Sequence, residues 1–330
     1  MNKDFLMASQ ASGDKNESAT ASPMSRRSFI KGGTVLGVSS LLAGSSFGLL
    51  PELVFAESIV DIAAVTGADY YQGTIRSVEI LGGMGRFVPK QSRVGLLINS
   101  PWRHPGSYVT PEITLAAVWM CLDAGAAEIG VFQSIGRDYW GRSPLSDRFQ
   151  TEIDTVRYIG GNYTEISIPR GLSLKKAEIA RGLLDCDVFI NISIAKHHAG
   201  THFTGVMKNM MGATSRSTNR FFHHGSGKGS GSYGDVAFLS QCIADVNLVR
   251  KPDLCILDGT EVLLTNGPGG PGKLLKPQKV FAGVDRVAMD AYGAALIGLH
   301  PADVQMIQMA HVHGLGEIRL DQLRIREVTA

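Results

Sequence analysis

The chain has 330 residues, 44% of them apolar and 19% charged, which suffices for one large domain or two small ones. Its 32 basic and 30 acidic residues nearly cancel, so nothing supplies the basic surface that nucleic acid or an anionic membrane would need. Four scattered cysteines (Cys121, Cys186, Cys242 and Cys255) have no C-x-x-C spacing, so neither a zinc ribbon nor a ferredoxin-type cluster can be read from them.

The first 56 residues read as a leader. A polar, Ser- and Asn-containing start runs into Ser25-Arg26-Arg27-Ser28-Phe29-Ile30-Lys31, followed by a small-residue apolar stretch from Thr34 to Leu50. Val54-Phe55-Ala56 then offers a peptidase site, with the cut expected after Ala56. The paired arginines mark the twin-arginine class of signal peptide, and an uncleaved leader would be the one route to membrane attachment. Without this leader, 27 basic residues face 26 acidic ones. The expected destination is the periplasm or another extracytoplasmic space, with the twin-arginine translocation machinery as partner.

Short apolar runs then alternate with helical patterns. Val94–Asn99 reads as a buried strand. Thr110-Pro111-Glu112 supplies a cap, a first-turn proline and a first-turn acid for a helix whose inner face is Ile113, Ala116, Ala117, Met120 and Cys121, and Gly125 lies past its end. Glu128–Phe132 is the next strand, and the polar Arg137–Asp154 stretch reads as a surface excursion. Tyr163–Ile168 fits a strand, Ser173–Leu184 a helix, and Asp187–Ile192 a strong strand. Asp235 opens a helix, Asp253–Leu257 and Lys279–Val284 read as strands, and Asp285 caps a helix running towards Gly298. This alternation implies an α/β fold, a mostly parallel sheet with helices on both faces. Ligands in such sheets bind beyond the carboxyl ends of the strands, which directs attention to Asn99, Asn191 and Asp258 onward.

The segment after the Asp187 strand carries the densest chemistry. Lys196-His197-His198 is followed by Thr201, His202, Thr204 and Gly205, then by Lys208, Asn209 and Gly212. Ammonium groups, hydroxyls, an amide and backbone N–H groups complement phosphate or carboxylate. The histidines can donate to an anion, move protons or ligate a metal, with His198 and His202 as the metal candidates. A solvated surface cluster fits the same residues. Arg103, after the first strand, is a secondary ligand candidate. His223-His224 precede a Gly- and Ser-rich run from Gly225 to Gly234 that lacks the Ser/Thr of a phosphate loop and reads as a lid. Asn266 to Gly272 is a Gly/Pro turn able to approach a ligand.

The K-x-H of Lys196 and His198, the T-G-x-x-K-N-x-x-G of Thr204 to Gly212, Asp258-Gly259, Asn266-Gly267-Pro268, Asp290 in a capped helix and Gly314-Leu315-Gly316 together resemble the domain of unknown function 362 family. The resemblance spans about Val94 to Gly316 and implies a single α/β domain over residues 57–330. Some members of that family carry ferredoxin-like iron–sulfur modules. This chain lacks their cysteine pattern, so a cluster bound by this chain alone is not expected.

Together these readings describe an exported, enzyme-like protein acting on a small anionic substrate, with a metal or redox cofactor and oxidoreductase chemistry as the favoured class. The expected catalytic residues are His198, Lys196, Lys208 and Asp290. Ligand contacts are expected from Thr204, Gly205, Asn209, Asn266, Asp258 and Arg103. A non-catalytic binding or accessory protein for a periplasmic redox system is the alternative, and under either reading a redox partner fits while nucleic acid does not.

Overall fold

The structure, a computed structural model, describes residues 60–225 and 235–330, all within the unit Glu57–Ala330. The twin-arginine pair, the cut after Ala56 and the body of the Gly- and Ser-rich run lie outside the described residues.

Fourteen strands are present among the described residues. Those of the main sheet are β1 (Ile62–Thr66), β2 (Arg93–Ile98), β3 (Glu128–Val131), β4 (Val156–Tyr158), β7 (Val188–Ile194), β10 (Leu254–Gly259), β13 (Lys279–Gly283) and β14 (Ile325–Thr329). Three two-stranded ribbons complete the set: β5 (Tyr163–Ser167) with β6 (Lys176–Ala180), β8 (Lys196–His198) with β9 (His202–Thr204), and β11 (Val262–Leu263) with β12 (Leu274–Leu275).

The main sheet runs β14-β1-β13-β10-β7-β2-β3-β4, and β13 alone runs against its neighbours. The fold is therefore α/β with a mostly parallel sheet. From β2 the chain moves outward to β3 and β4, then returns to place β7 on the other side of β2. The β2–β7 border is thus a topological switch point, where the connections leave a crevice beyond the strand ends.

Helices cover both faces. The strand alternation explains how: along β7, Val188, Ile190, Ile192 and Ile194 enter one apolar cluster, while Phe189 enters the other. The first face carries α1 (Tyr70–Ile80), α2 (Pro111–Asp123), α3 (Arg137–Trp140) and α4 (Gln150–Thr155). The second carries α5 (Arg181–Asp185), α6 (Val206–Asn209), α7 (Arg216–His224), α8 (Val236–Val246), α9 (Arg286–Leu296) and α10 (Gln305–Val312). Asp235 and Asp285 cap α8 and α9 as their positions imply, each accepting two backbone N–H groups. No helix among the described residues is long and apolar enough to cross a membrane.

Two expected elements differ. Ser173–Leu184 is a strand followed by one helical turn, because Ala177 and Ile179 alternate inward between Lys176 and Glu178 and pair with β5. Pairing and a period of two prevail there over helical propensity. The Arg137–Asp154 excursion is not merely superficial: Tyr139, Trp140 and Phe149 are buried, and the Tyr139 hydroxyl bonds Thr114 Oγ1 at 2.7 Å. The four cysteines are buried free thiols, with burial pushing Cys121 and Cys242 each up to about 12.

Candidate functional site

At the carboxyl edge of β2, β3 and β7 lies a cavity of about 450 Å³. Its wall takes Asn99, Pro101 and Trp102 from the segment after β2, and Gln133 from the segment after β3. Lys196, His198 and Thr204 come from the β8–β9 ribbon, and Lys208, Asn209, Met211 and Gly212 from α6 and the turn after it. Asn219 and His223 of α7 and Pro268 of the Gly/Pro turn close it. Among the described residues the lining contains two lysines and two histidines but no Asp or Glu.

Lys196 is fully buried. Its ammonium donates to Asn99 Oδ1 at 3.3 Å and to the Ser107 carbonyl, and lies 5.7 Å from the Trp102 ring centre. Burial, then the charge of Lys208, holds its pKa well below the usual lysine range, and no carboxylate opposes them. Lys208, half-buried in the wall, contacts Met211 Sδ at 3.3 Å, and burial lowers it to about 8.

The two histidines have opposite tautomers. His198 Nδ1 accepts from the backbone N–H of Gly200 at 3.0 Å and of Thr201 at 3.2 Å, so its hydrogen sits on Nε2. Burial, then neighbouring Lys208, lowers its pKa to about 2, and it stays neutral. His223 Nδ1 lies 2.8 Å from the Asn219 carbonyl, which makes Nδ1 the donor and leaves Nε2 an acceptor. Burial is the main cause lowering its pKa as well. One cavity therefore holds a histidine that donates through Nε2 and another that accepts through it.

The scaffold beneath is fixed by amides and carboxylates. Asn209 donates through Nδ2 to Asn191 Oδ1 at 2.8 Å and to the Leu97 carbonyl at 3.1 Å. It accepts from Asn99 Nδ2 at 3.3 Å, so its amide is used for linking α6 to β2 and β7. Asp290, fully buried, accepts the backbone N–H of Val206 at 2.5 Å and of Met207 at 3.0 Å, fixing the first turn of α6. Burial raises it to about 7 against the lowering effect of those two bonds. A Cβ on Gly205 would collide with the Asp290 carboxylate, which is why the residue before α6 has none. The corresponding close approach at the Gly/Pro turn is Gly267, whose missing Cβ lets the His197 carbonyl pass.

Several expected site residues are placed elsewhere. Asp290 pairs with neither lysine and lies outside the cavity lining, so it positions α6 instead of meeting a ligand. Asp258 is consumed by the Thr110 N–H at 2.7 Å and by the Thr260 N–H and hydroxyl at 2.8 and 2.7 Å, joining β10 to the start of α2. Asn266 is exposed with φ 56° and donates to the Pro271 carbonyl at 3.0 Å; its turn presents Pro268 instead. Arg103 is exposed and outside the lining, which its neighbour Trp102 joins. Gly205 contributes space for Asp290 and no wall to the cavity.

The metal pair also changes. His202, the first residue of β9, is exposed outside the lining and pairs with His198 across the ribbon, with φ 61°. His198 cannot offer Nδ1, which two amides occupy, and offering Nε2 would turn a hydrogen on Nδ1 into those same amides. Among the described residues no group of three or more His, Cys, Asp or Glu could hold a metal ion. Lysine, hydroxyl and amide donors fit an anion and do not fit a resident cation.

Lys196, His198, Thr204, Lys208 and Asn209 do meet at the cavity. Trp102, Gln133, Met211, Asn219 and His223 join them without individual prediction as site residues. The i, i+4 spacing of Asn219 and His223 on a helix was the signal available for the last two.

The fold and cavity define an α/β protein with a lysine-lined site at a sheet switch point. The chain belongs to the family described as domain of unknown function DUF362, whose model matches residues 94–295. It is 29% identical over 249 residues to a thylakoid-associated protein of Synechocystis sp., covering 69% of this chain and 70% of that one. Among solved structures it resembles the lactate racemase apoprotein from Thermoanaerobacterium thermosaccharolyticum, with TM-score 0.44 and 13% identity. That likeness covers 76% of this chain and 58% of the other. A Thermotoga maritima protein matches with TM-score 0.35 and 14% identity, over 58% of this chain and 51% of that one.

Proposed function

We propose that the cavity binds a small oxygen-rich anion, a carboxylate or phosphate, and that the protein is an enzyme moving a proton next to it. The observation that carries this is the pairing of Lys196 and Lys208 in one cavity whose lining, among the described residues, holds no acid. A buried cation normally has a carboxylate partner; here the missing counter-charge fits a ligand.

Lys208, protonated below about pH 8, anchors the anion together with the Thr204 hydroxyl, which is buried without a protein hydrogen-bond partner among the described residues. His198 donates through Nε2. His223, an acceptor at Nε2, is the group that takes a proton. The lysine, hydroxyl and amide donors of the described lining do not fit a cation. The Arg26-Arg27 leader supports export by the twin-arginine route, which cell fractionation of an Arg26→Lys/Arg27→Lys variant tests.

Calorimetric titration with inorganic phosphate and with small carboxylates tests binding, and deuterium uptake from D₂O into the carboxylates, followed by NMR, tests proton transfer. Saturable binding lost in Lys208→Ala and exchange lost in His223→Ala are expected. Binding indifferent to Lys208 would refute the reading. Binding without exchange would favour the accessory-protein alternative.

A further inference from the structure

A second cavity of about 680 Å³ adjoins the first, and the two share Gln133, Met211, Gly212 and Asn219. Helix α7 forms part of both walls. Its Asn219 and His223 line the first cavity, while Arg216, Arg220 and His224, spaced one turn apart, line the second. The second lining also holds Tyr158 and Tyr163, 54% and 38% exposed, and again no Asp or Glu among the described residues. Arg216 and Arg220 are exposed and make no ion pair among the described residues. Glu178 of β6 accepts from the Ser215 and Ser217 hydroxyls near the first turn of α7 and lies outside this lining. At the shared wall Gln133 Oε1 is buried with no hydrogen-bond partner among the described residues.

We infer that the two chambers take one molecule, a flat aryl-type compound with an anionic group at each end. One anion sits at Lys208. The ring lies against Tyr158 and Tyr163, and the second anion meets Arg216 and Arg220, whose guanidinium forks suit carboxylate or phosphate and stack on planar groups. The Gln133 carbonyl, which a buried site does not leave unpaired at no cost, accepts a hydroxyl or N–H from the middle of the ligand. The inference rests on the anion reading of the first cavity and adds the class of molecule that fills both.

Titrating the full chain with inorganic phosphate, phenyl phosphate, 4-carboxyphenyl phosphate and its longer carboxybiphenyl homologue tests it. At least one bifunctional compound is expected to bind roughly tenfold or more tighter than phenyl phosphate, about the worth of one good charged contact. Arg216→Ala/Arg220→Ala should erase that gain and leave phosphate affinity within about twofold; both side chains are exposed, and retained phosphate binding reports an intact fold. If phosphate binds in a Lys208-dependent way but neither bifunctional compound gains, or the gain survives the double variant, the inference falls alone. If phosphate does not bind, or binds regardless of Lys208, the anion reading falls and takes the inference with it.

Discussion

The buried carboxylates and the cavity's ammonium groups are treated in opposite ways in this protein. Asp258 and Asp290 are each saturated by donors from the chain itself, two backbone N–H groups apiece, with a Thr260 hydroxyl added at Asp258. Among the described residues, Lys196 and Lys208 have one carbonyl, an amide oxygen and a sulfur around them but no carboxylate. A buried charge fully bonded by the backbone holds the scaffold together. A buried charge without a counter-ion, opening on a cavity, is kept for something that arrives from outside.

Asp290→Ala should break the contrast most severely. Two buried amide N–H groups lose their acceptor at about 1–3 kcal/mol each, so urea unfolding should show a loss of about 3 kcal/mol or more, and anion binding should vanish because α6 carries Lys208. Unchanged stability would remove Asp290 from the scaffold. Its titration adds a sign: the folded pKa of about 7 exceeds the unfolded value, so the folded state binds more protons between. This group's contribution to stability therefore falls as pH rises from about 4 to about 7, and Asp290→Asn should flatten that slope.

Lys196→Met should act in the opposite direction. Removing a desolvated amine for an apolar chain of similar length is expected to raise stability by about 1 kcal/mol, while anion affinity drops at least about tenfold. The folded pKa of Lys196 is depressed, so the folded state binds fewer protons and the group's contribution improves as pH rises towards its unfolded value. The variant should lose that dependence. A variant both less stable and still binding would place Lys196 in the scaffold with the aspartates.

Lys208 gives a gentler test, by pH alone. With a pKa of about 8, its charge declines above that pH, and phosphate affinity measured by calorimetry should fall by about tenfold for each further pH unit until only uncharged contacts remain. Lys208→Arg, charged throughout, should hold its affinity across the same range. A flat profile for the native protein would assign the anion to other donors.

The sequence made the parallel sheet and the Lys196–Asn209 cluster legible because both are written locally, one as apolar alternation and the other as residues crowded behind one strand. Asp258 and Asp290 were misassigned for a physical reason: an acid behind a strand has the same signature whether it meets a ligand or a backbone amide. What separates the two is the contact with Thr110, 148 positions from Asp258 in sequence, and with Val206 and Met207, more than 80 positions from Asp290. The cavity role of His223 was hidden likewise, since its tautomer depends on the Asn219 carbonyl one turn back and its neighbours belong to strands distant in the chain.

The smallest effect is expected at His202, which sequence spacing pairs with His198 and the ribbon turns outward. His202→Gly relieves a φ of 61° that glycine adopts without penalty and removes no contact with the cavity lining. Stability should therefore change by no more than about 0.5 kcal/mol, phosphate affinity by less than about twofold, and zinc content not at all. A variant that loses bound metal, or loses phosphate affinity while keeping its fold, would restore His202 to the site. It would also mean that the β8–β9 ribbon moves enough to bring its exposed edge over the lysines, and the division between satisfied scaffold charge and open cavity charge would then hold for only one position of that ribbon.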